Sequence, residues 1–188
     1  MWLLLVVVVV VGGWMIAAYN GLISLKNQTV NAFKQIDVQL KRRHDLIPNL
    51  VNAVKGAMDF EKSTLEAVIQ ARNQAVKVES GGGSVKQISQ AENALSGALS
   101  RLMVVVERYP QLKATANVGQ LQEELTSTEN RIAFSRQLYN DTATQYNTKQ
   151  EQFPTRLVAG LAHAQPAELW EIDAAAERAV PKVDLSVR

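Results

Sequence analysis

Residues 2–18 read WLLLVVVVVVGGWMIAA, and no charged side chain follows until Lys26. In a helix these residues extend about 26 Å, and the uncharged run to Leu25 completes a bilayer core of roughly 30 Å. The valine run would suit a strand in water. In lipid an isolated strand leaves its amides unpaired, so a lone apolar segment becomes a helix. Trp2, Leu3, Val8, Gly12, Gly13, Trp14 and Tyr19 are therefore assigned to a transmembrane anchor over residues 1–19. Trp2, Trp14 and Tyr19 suit its interfaces, and Gly12-Gly13 would let neighbouring anchors approach closely. Met15-Ile16-Ala17-Ala18 ends in small residues, as a cleavable leader does, but the basic segment of a leader is lacking, which favours a retained anchor. A buried core helix is usually shorter than this run. Lys26, Lys34 and Lys41-Arg42-Arg43 all follow the span, so charge bias places the bulk of the chain in the cytoplasm, below a single-pass anchor.

The remaining sequence has helical periodicity. Leu22, Leu25, Phe33, Ile36 and Leu40 form one apolar stripe, separated from the anchor only by Asn20-Gly21, where Gly21 is a candidate hinge. His44-Asp45-Leu46-Ile47-Pro48 predicts a kink or tight corner, because Pro48 has no amide donor and disfavours helical dihedrals at Ile47. From there Ile47, Leu50, Val51, Val54, Met58, Leu65, Val68, Ile69 and Val76 predict a second helix to about residue 78. Gly81-Gly82-Gly83 predicts a loop. Ile88, Leu95, Leu102 and Tyr109, with Ala91, Ala98 and Val105 between them, form a left-handed heptad seam that ends at Pro110. A last long helix, capped by Asn117, carries Val118, Leu121, Leu125, Thr128, Ile132, Ser135, Tyr139, Thr142 and Tyr146 to about residue 152. Its polar seam positions read as a half-exposed end, or as hydrogen bonding across a bundle or to a second copy. Leu121, Leu125, Ile132 and Tyr139 are the candidate oligomer seam. After Phe153-Pro154, short helices are expected around Leu157 and from Glu168 to Arg178, ending by Pro181.

The fold class is all-α: an N-terminal transmembrane helix, an elongated up-and-down bundle of long kinked helices over 20–153, and a tail with short helices over 154–188. Only 6% of residues are aromatic and glycine and proline are sparse, which argues against a sandwich or barrel. A chain without cysteine has no disulfide framework, thiolate metal site or cysteine nucleophile. With two histidines, at 44 and 163, the Glu-x-x-His pairs of di-metal bundles do not occur. Glu123, Glu124 and Glu129 read as a solvated face. Gly81-Gly82-Gly83-Ser84-Val85-Lys86 lacks the Lys-Ser/Thr pair and the preceding strand of a phosphate loop. No catalytic residue, cofactor or metal is assigned. A net charge of +2 spread along the chain argues against a nucleic-acid partner. The dense run Lys41-Arg42-Arg43-His44-Asp45 reads as a solvated helix end, or as contact with headgroups or an acidic partner; its distance along the rod favours protein over lipid.

The stretch Gln35-Ile36-Asp37-Val38-Gln39-Leu40-Lys41-Arg42-Arg43-His44-Asp45-Leu46-Ile47-Pro48-Asn49-Leu50-Val51 resembles the signature of the LemA family of bacterial membrane proteins. Further segments resemble it in order, among them Ala71-Arg72, Tyr109-Pro110-Gln111-Leu112-Lys113, Leu121-Gln122-Glu123-Glu124-Leu125, Thr128-Glu129-Asn130-Arg131 and Pro181-Lys182-Val183-Asp184. The resemblance implies kinked helices behind an N-terminal anchor, in the bacterial inner membrane, and no established enzymatic activity. Magnetosome-membrane relatives imply membrane shaping; other relatives imply envelope stress and membrane proteolysis. Relatives with lipoprotein-like leaders imply an extracytoplasmic bundle, against the charge bias. Two functions follow as expectations. One is a non-enzymatic scaffold that self-associates laterally in the lipid bilayer. The other is an adaptor that offers a corner of Asp37, Lys41, Arg42, Arg43, His44, Asp45 and Pro48 to a membrane protease or other envelope protein.

Overall fold

The computed structural model describes residues 1–56, 61–110 and 116–171, and the side chain of Ala116 lies outside this description. The described residues form five helices and no strand: α1 (Trp2–Lys55), α2 (Lys62–Ser80), α3 (Val85–Val106), α4 (Ala116–Glu151) and α5 (Thr155–Leu161). Met58, the Gln111-Leu112-Lys113 segment, the expected helix beyond Glu171 and its expected end at Pro181 fall outside the described residues.

α1 runs 54 residues without interruption, about 80 Å at the helical rise. Trp2 to Val11 are all exposed, whereas Leu22 is the first residue to be fully buried. It is one helix long and apolar enough, by length and composition, to cross a membrane. Gly21 is helical and produces no break, so the packed part of the rod continues the protruding part directly.

Of the kink or tight corner expected at Pro48, the corner does not form. α1 passes through Pro48 and ends only at Gly56, so the second apolar stripe is divided between the top of α1 and α2. The physical reason lies across the bundle. Without an amide at Pro48, the carbonyl of His44 loses its partner one turn further along, and Arg72 on α2 supplies it instead, Nε donating to that oxygen at 3.2 Å.

The connection from α2 to α3 is a built turn rather than a flexible linker. Gly82 has φ of +70°, and a Cβ on Gly83 would stand 2.7 Å from Val78 Cγ1. The Gly83 amide donates to the Val78 carbonyl, and Ser84 and Gln87 form a reciprocal capping box that starts α3. At the far end, Asn117 is not a cap, because α4 already includes it and starts at Ala116.

α4 runs antiparallel to α1: Tyr139 meets Phe33 edge-on at 5.6 Å, and Glu129 meets Arg43 at 2.6 Å. Three apolar clusters stack along the rod. The distal one joins Ile47, Leu50 and Val54 to Leu65, Val68, Leu95, Leu102 and Leu125. The middle one joins Ile36 and Leu40 to Ile88, Ile132, Tyr139 and Trp170. At the anchor end, Leu22, Tyr146 and Ala159 close the base.

The tail around Glu168 is extended, not helical, up to Glu171. Two asparagines on α4 hold it. The Asn147 side chain accepts from the Ala167 amide and donates to the Ala167 carbonyl, both at 2.8 Å, and Asn140 does the same with Trp170 at 2.8 and 3.1 Å. Seven residues of helix rise about 10.5 Å and three residues of extended chain about 10 Å, so the spacings match. The polar seam of α4 is thus explained within the chain. Thr128 and Thr142 bond back to their own helix, and Tyr139 donates to the Glu168 carbonyl at 2.6 Å.

Removing the Arg72 donor should expose the defect at Pro48. Arg72→Ala is expected to cost about 1–3 kcal/mol, the range for an orphaned buried polar group. In a Pro48→Ala background, where residue 48 regains its amide, the same change should cost clearly less. Thermal unfolding of the four proteins in mild detergent measures the coupling, and additive losses would refute it.

Candidate functional site

Continuing the helix through Pro48 sorts the signature residues by face. Lys41 lies four residues after Asp37, and His44 and Asp45 lie three and four after Lys41; all line one recess of about 420 Å³ with Arg72, Val76, Glu79 and Ser80 from α2. Ile36, Leu40, Arg43 and Ile47 turn inward, where all four are at most 1% exposed. Arg43 and His44 therefore occupy neither of the expected positions, a solvated helix end or a partner-facing corner. They lie inside the bundle, between the middle and distal apolar clusters, because both find carboxylates there.

Their common partner is Glu92 on α3, itself 2% exposed. Arg43 Nη2 donates to one of its oxygens, and His44 Nε2 contacts the other at 2.8 Å. Arg43 Nη1 donates further to Glu129 at 2.6 Å and to Ser96 Oγ at 2.9 Å. Glu129 is thus part of this network and not of a solvated face, while Glu124 stays near the surface, 3.8 Å from Arg42. Burial opposes the charge on Glu92, but the hydrogen bond from His44 and the adjacent Arg43 outweigh it and hold its carboxyl below the usual range.

On the opposite side of the imidazole, His44 Nδ1 lies 3.5 Å from Glu79 Oε2. Burial, the hydrogen bond to Asp37 and the charges of Asp37 and Glu92 push Glu79 up to about 7, with Lys41 acting the other way. Near pH 7 the Glu79 carboxyl is therefore only partly ionised.

Among the described residues, His44, Glu79 and Glu92 bring one nitrogen and two carboxylate oxygens within 4.8 Å of one another, a group that could hold a metal. Both oxygens of Glu92 are already engaged, by Arg43 and His44, and the guanidinium opposes a second cation at that carboxylate. The arrangement is a closed ion network that fixes how α1, α3 and α4 meet.

Neither Glu92 nor Glu79 was singled out from the sequence. Glu92 had a legible signal: it lies four residues after Ile88 and three before Leu95, beside the heptad seam on the same side of the helix. Glu79 lies beside the glycine turn and carries no such signal.

The seam candidates also face inward. Leu125, Ile132 and Tyr139 are at most 3% exposed and Leu121 packs against the distal cluster, so α1, α2 and α3 cover them within the same chain. The apolar residues left on the outside are others. Val38 on α1 and Phe134 on α4 are 63% and 69% exposed, and a groove runs past Phe134 between Gln39, Arg131 and Ser135. Of the anchor residues, Trp2, Leu3, Val8, Trp14 and Tyr19 protrude into the surroundings, and a Cβ on Gly12 or Gly13 would meet nothing within 4 Å.

A family model described as the LemA family matches residues 32–185. Among curated relatives, the magnetosome protein MamQ 2 of Paramagnetospirillum magneticum is 25% identical over 175 residues, covering 81% of this chain and 64% of the relative. Protein LemA of Metamycoplasma hominis is 28% identical over 160 residues, covering 82% of this chain and 72% of the relative. The magnetosome protein MamQ of Magnetospirillum gryphiswaldense is 24% identical over 158 residues, covering 72% and 58%. The chain thus spans less than two thirds of the length of these magnetosome relatives.

Two measurements test the network. Glu92→Leu leaves Arg43 buried without its main counter-charge and should cost about 3–5 kcal/mol in unfolding free energy; a loss below about 1 kcal/mol would remove Glu92 from its central place. Glu79 gives a pH signature. Its raised value means that its contribution is fully present below pH 4.5 and is lost as the pH rises through about 7. Glu79→Gln should therefore melt higher than the parent at pH 8, with the difference closing towards pH 4.5. Parallel melting curves across that window would contradict the assignment.

Proposed function

The chain belongs to the LemA family, and from that premise we propose that it is a non-enzymatic, membrane-anchored scaffold whose copies associate side by side to organise the bilayer. The observation that carries this reading is the continuity of α1, from the exposed apolar span to the top of the bundle, in one helix. A rod without a hinge transmits its orientation. Contacts between neighbouring bundles then set the angle between neighbouring anchors, and a fixed repeat angle bends or orders the membrane that holds them. The relatives named for the magnetosome fit such a role.

The lateral surface in this proposal is the outer α1/α4 face with Val38 and Phe134, in place of the seam residues that the core has absorbed. Lys26 and Lys34, following the span, support a reading with the bundle on the cytoplasmic side of the bacterial inner membrane. The non-enzymatic reading draws support from the chemistry available. The chain has no cysteine, and His44 is flanked by a carboxylate at each ring nitrogen. An adaptor role for the signature is less favoured, because Arg43 and His44 are buried, leaving Lys41, Arg42 and Asp45 outside.

Particle mass of the full chain, extracted in mild detergent, tests the scaffold. A large discrete homo-oligomer is expected, and Val38→Glu with Phe134→Glu should reduce it to monomers of unchanged helicity. A parent protein that is itself monomeric, or an assembly that ignores both substitutions, would overturn lateral association through this face.

A further inference from the structure

The chain reverses direction at α5. α4 descends along α1 towards the anchor, and residues 164–171 climb back along α4, where Ala167 meets Asn147 and Trp170 meets Asn140. α5 is therefore the floor of the bundle. Its inner side, Thr155, Val158 and Ala159, is buried, and Ala159 packs with Leu22 and Tyr146. Leu22 lies only about 6 Å along α1 from Ala18, the last residue of the apolar run.

The outer side of the floor carries Phe153, Leu157 and Leu161, which are 83%, 66% and 67% exposed. Leu157 and Leu161 lie one turn apart on α5, opposite the buried set, and Phe153 is exposed in the turn that precedes the helix. Such a cluster on a water-facing surface is costly, and here it lies where the anchor enters lipid. The charges nearby are mostly positive: Lys26 on α1, Lys149 at the end of α4 and Arg156 on α5, against Glu151. An apolar side flanked by cations matches the boundary of an anionic leaflet, with the rings and methyls below and the charged heads at the phosphates.

We propose that Phe153, Leu157 and Leu161 insert into the bilayer interface as a second membrane contact, with Arg156 and Lys149 reaching anionic headgroups. The proposal rests on the reading of α1 as a membrane anchor and deepens it. A single spanning helix leaves the bundle free to tilt and rotate, whereas a contact beside it fixes both. In a scaffold whose effect depends on a constant angle between rod and membrane, the floor helix sets that angle.

A cysteine-free chain permits a direct test. Leu157→Cys, Val8→Cys in the span and Gln70→Cys on α2 are each labelled with a nitroxide in the otherwise unchanged full chain. The proteins are reconstituted in phosphatidylcholine–phosphatidylglycerol vesicles. The ratio of collisions with oxygen to collisions with a water-soluble nickel chelate then reports depth. The expected order is Val8 deepest, Leu157 at the interface and Gln70 in water, with Leu157 moving outward when phosphatidylglycerol is omitted. Leu157 as water-exposed as Gln70, with Val8 still deep, would overturn the floor contact and leave the anchor standing. Val8 exposed to the chelate would overturn both. A Leu157 label shielded from both reagents and broadened by a neighbouring spin would mean that a second copy covers this side, and that too would overturn the proposal.

Discussion

The architecture depends on one carbonyl. Pro48 removes the hydrogen bond that the oxygen of His44 would receive from the next turn, and a buried oxygen without a donor ordinarily ends or bends a helix. Here Arg72 reaches across from α2 to supply the donor, and α1 continues for seven more residues to Lys55. The distal apolar cluster rests on that extension, since Ile47, Leu50, Val51 and Val54 all lie at or beyond the break. A turn at residue 48 would have left α2 and α3 packing against nothing on that side.

Just below this point a second constraint fixes rotation about the helix axes. Apolar contacts tolerate sliding, whereas the Arg43 guanidinium must meet Glu92 on α3 and Glu129 on α4 at once. Breaking either contact leaves a charge in the interior, so alternative registers are disfavoured more strongly than this one is favoured. His44 adds a third direction towards Glu79 on α2. Four helices are thereby keyed at one level, and the middle and distal clusters pack on either side of the key.

At the anchor end the device is different. The two α4 asparagines treat the returning tail as the edge of a strand, each satisfying one amide and one carbonyl, and draw Ala167 and Trp170 onto the middle and basal clusters. This covers the lower part of α4 without another helix, and it places α5 across the floor. From the floor to the top of α1 the described part of the rod is therefore held by contacts within one chain, and its exposed apolar side chains include those of the anchor, of Val38 and Phe134, and of the floor.

Much of this was legible in the sequence because it follows from local periodicity. The apolar run could only be a helix in lipid, the heptad seam of α3 buried Ile88, Leu95 and Leu102, and the glycines between Ser80 and Ser84 made the turn. The all-helical class and the family resemblance followed from the same patterns and motifs. The misread features were those whose outcome depends on a residue far away in the chain. Pro48 looked like a corner because its rescue comes from Arg72, Arg43 looked solvated like its neighbours Lys41 and Arg42 because Glu92 and Glu129 lie 49 and 86 residues from it, and Leu125 and Ile132 looked available to a second copy because only packing shows that α1 covers them. The sequence by itself thus determined which segments are helical and which sides of them are apolar, since hydrogen bonding and side-chain spacing act within a few turns. Only the tertiary structure decided which polar groups are satisfied and which apolar stripes remain outside, because both depend on partners that folding alone brings together.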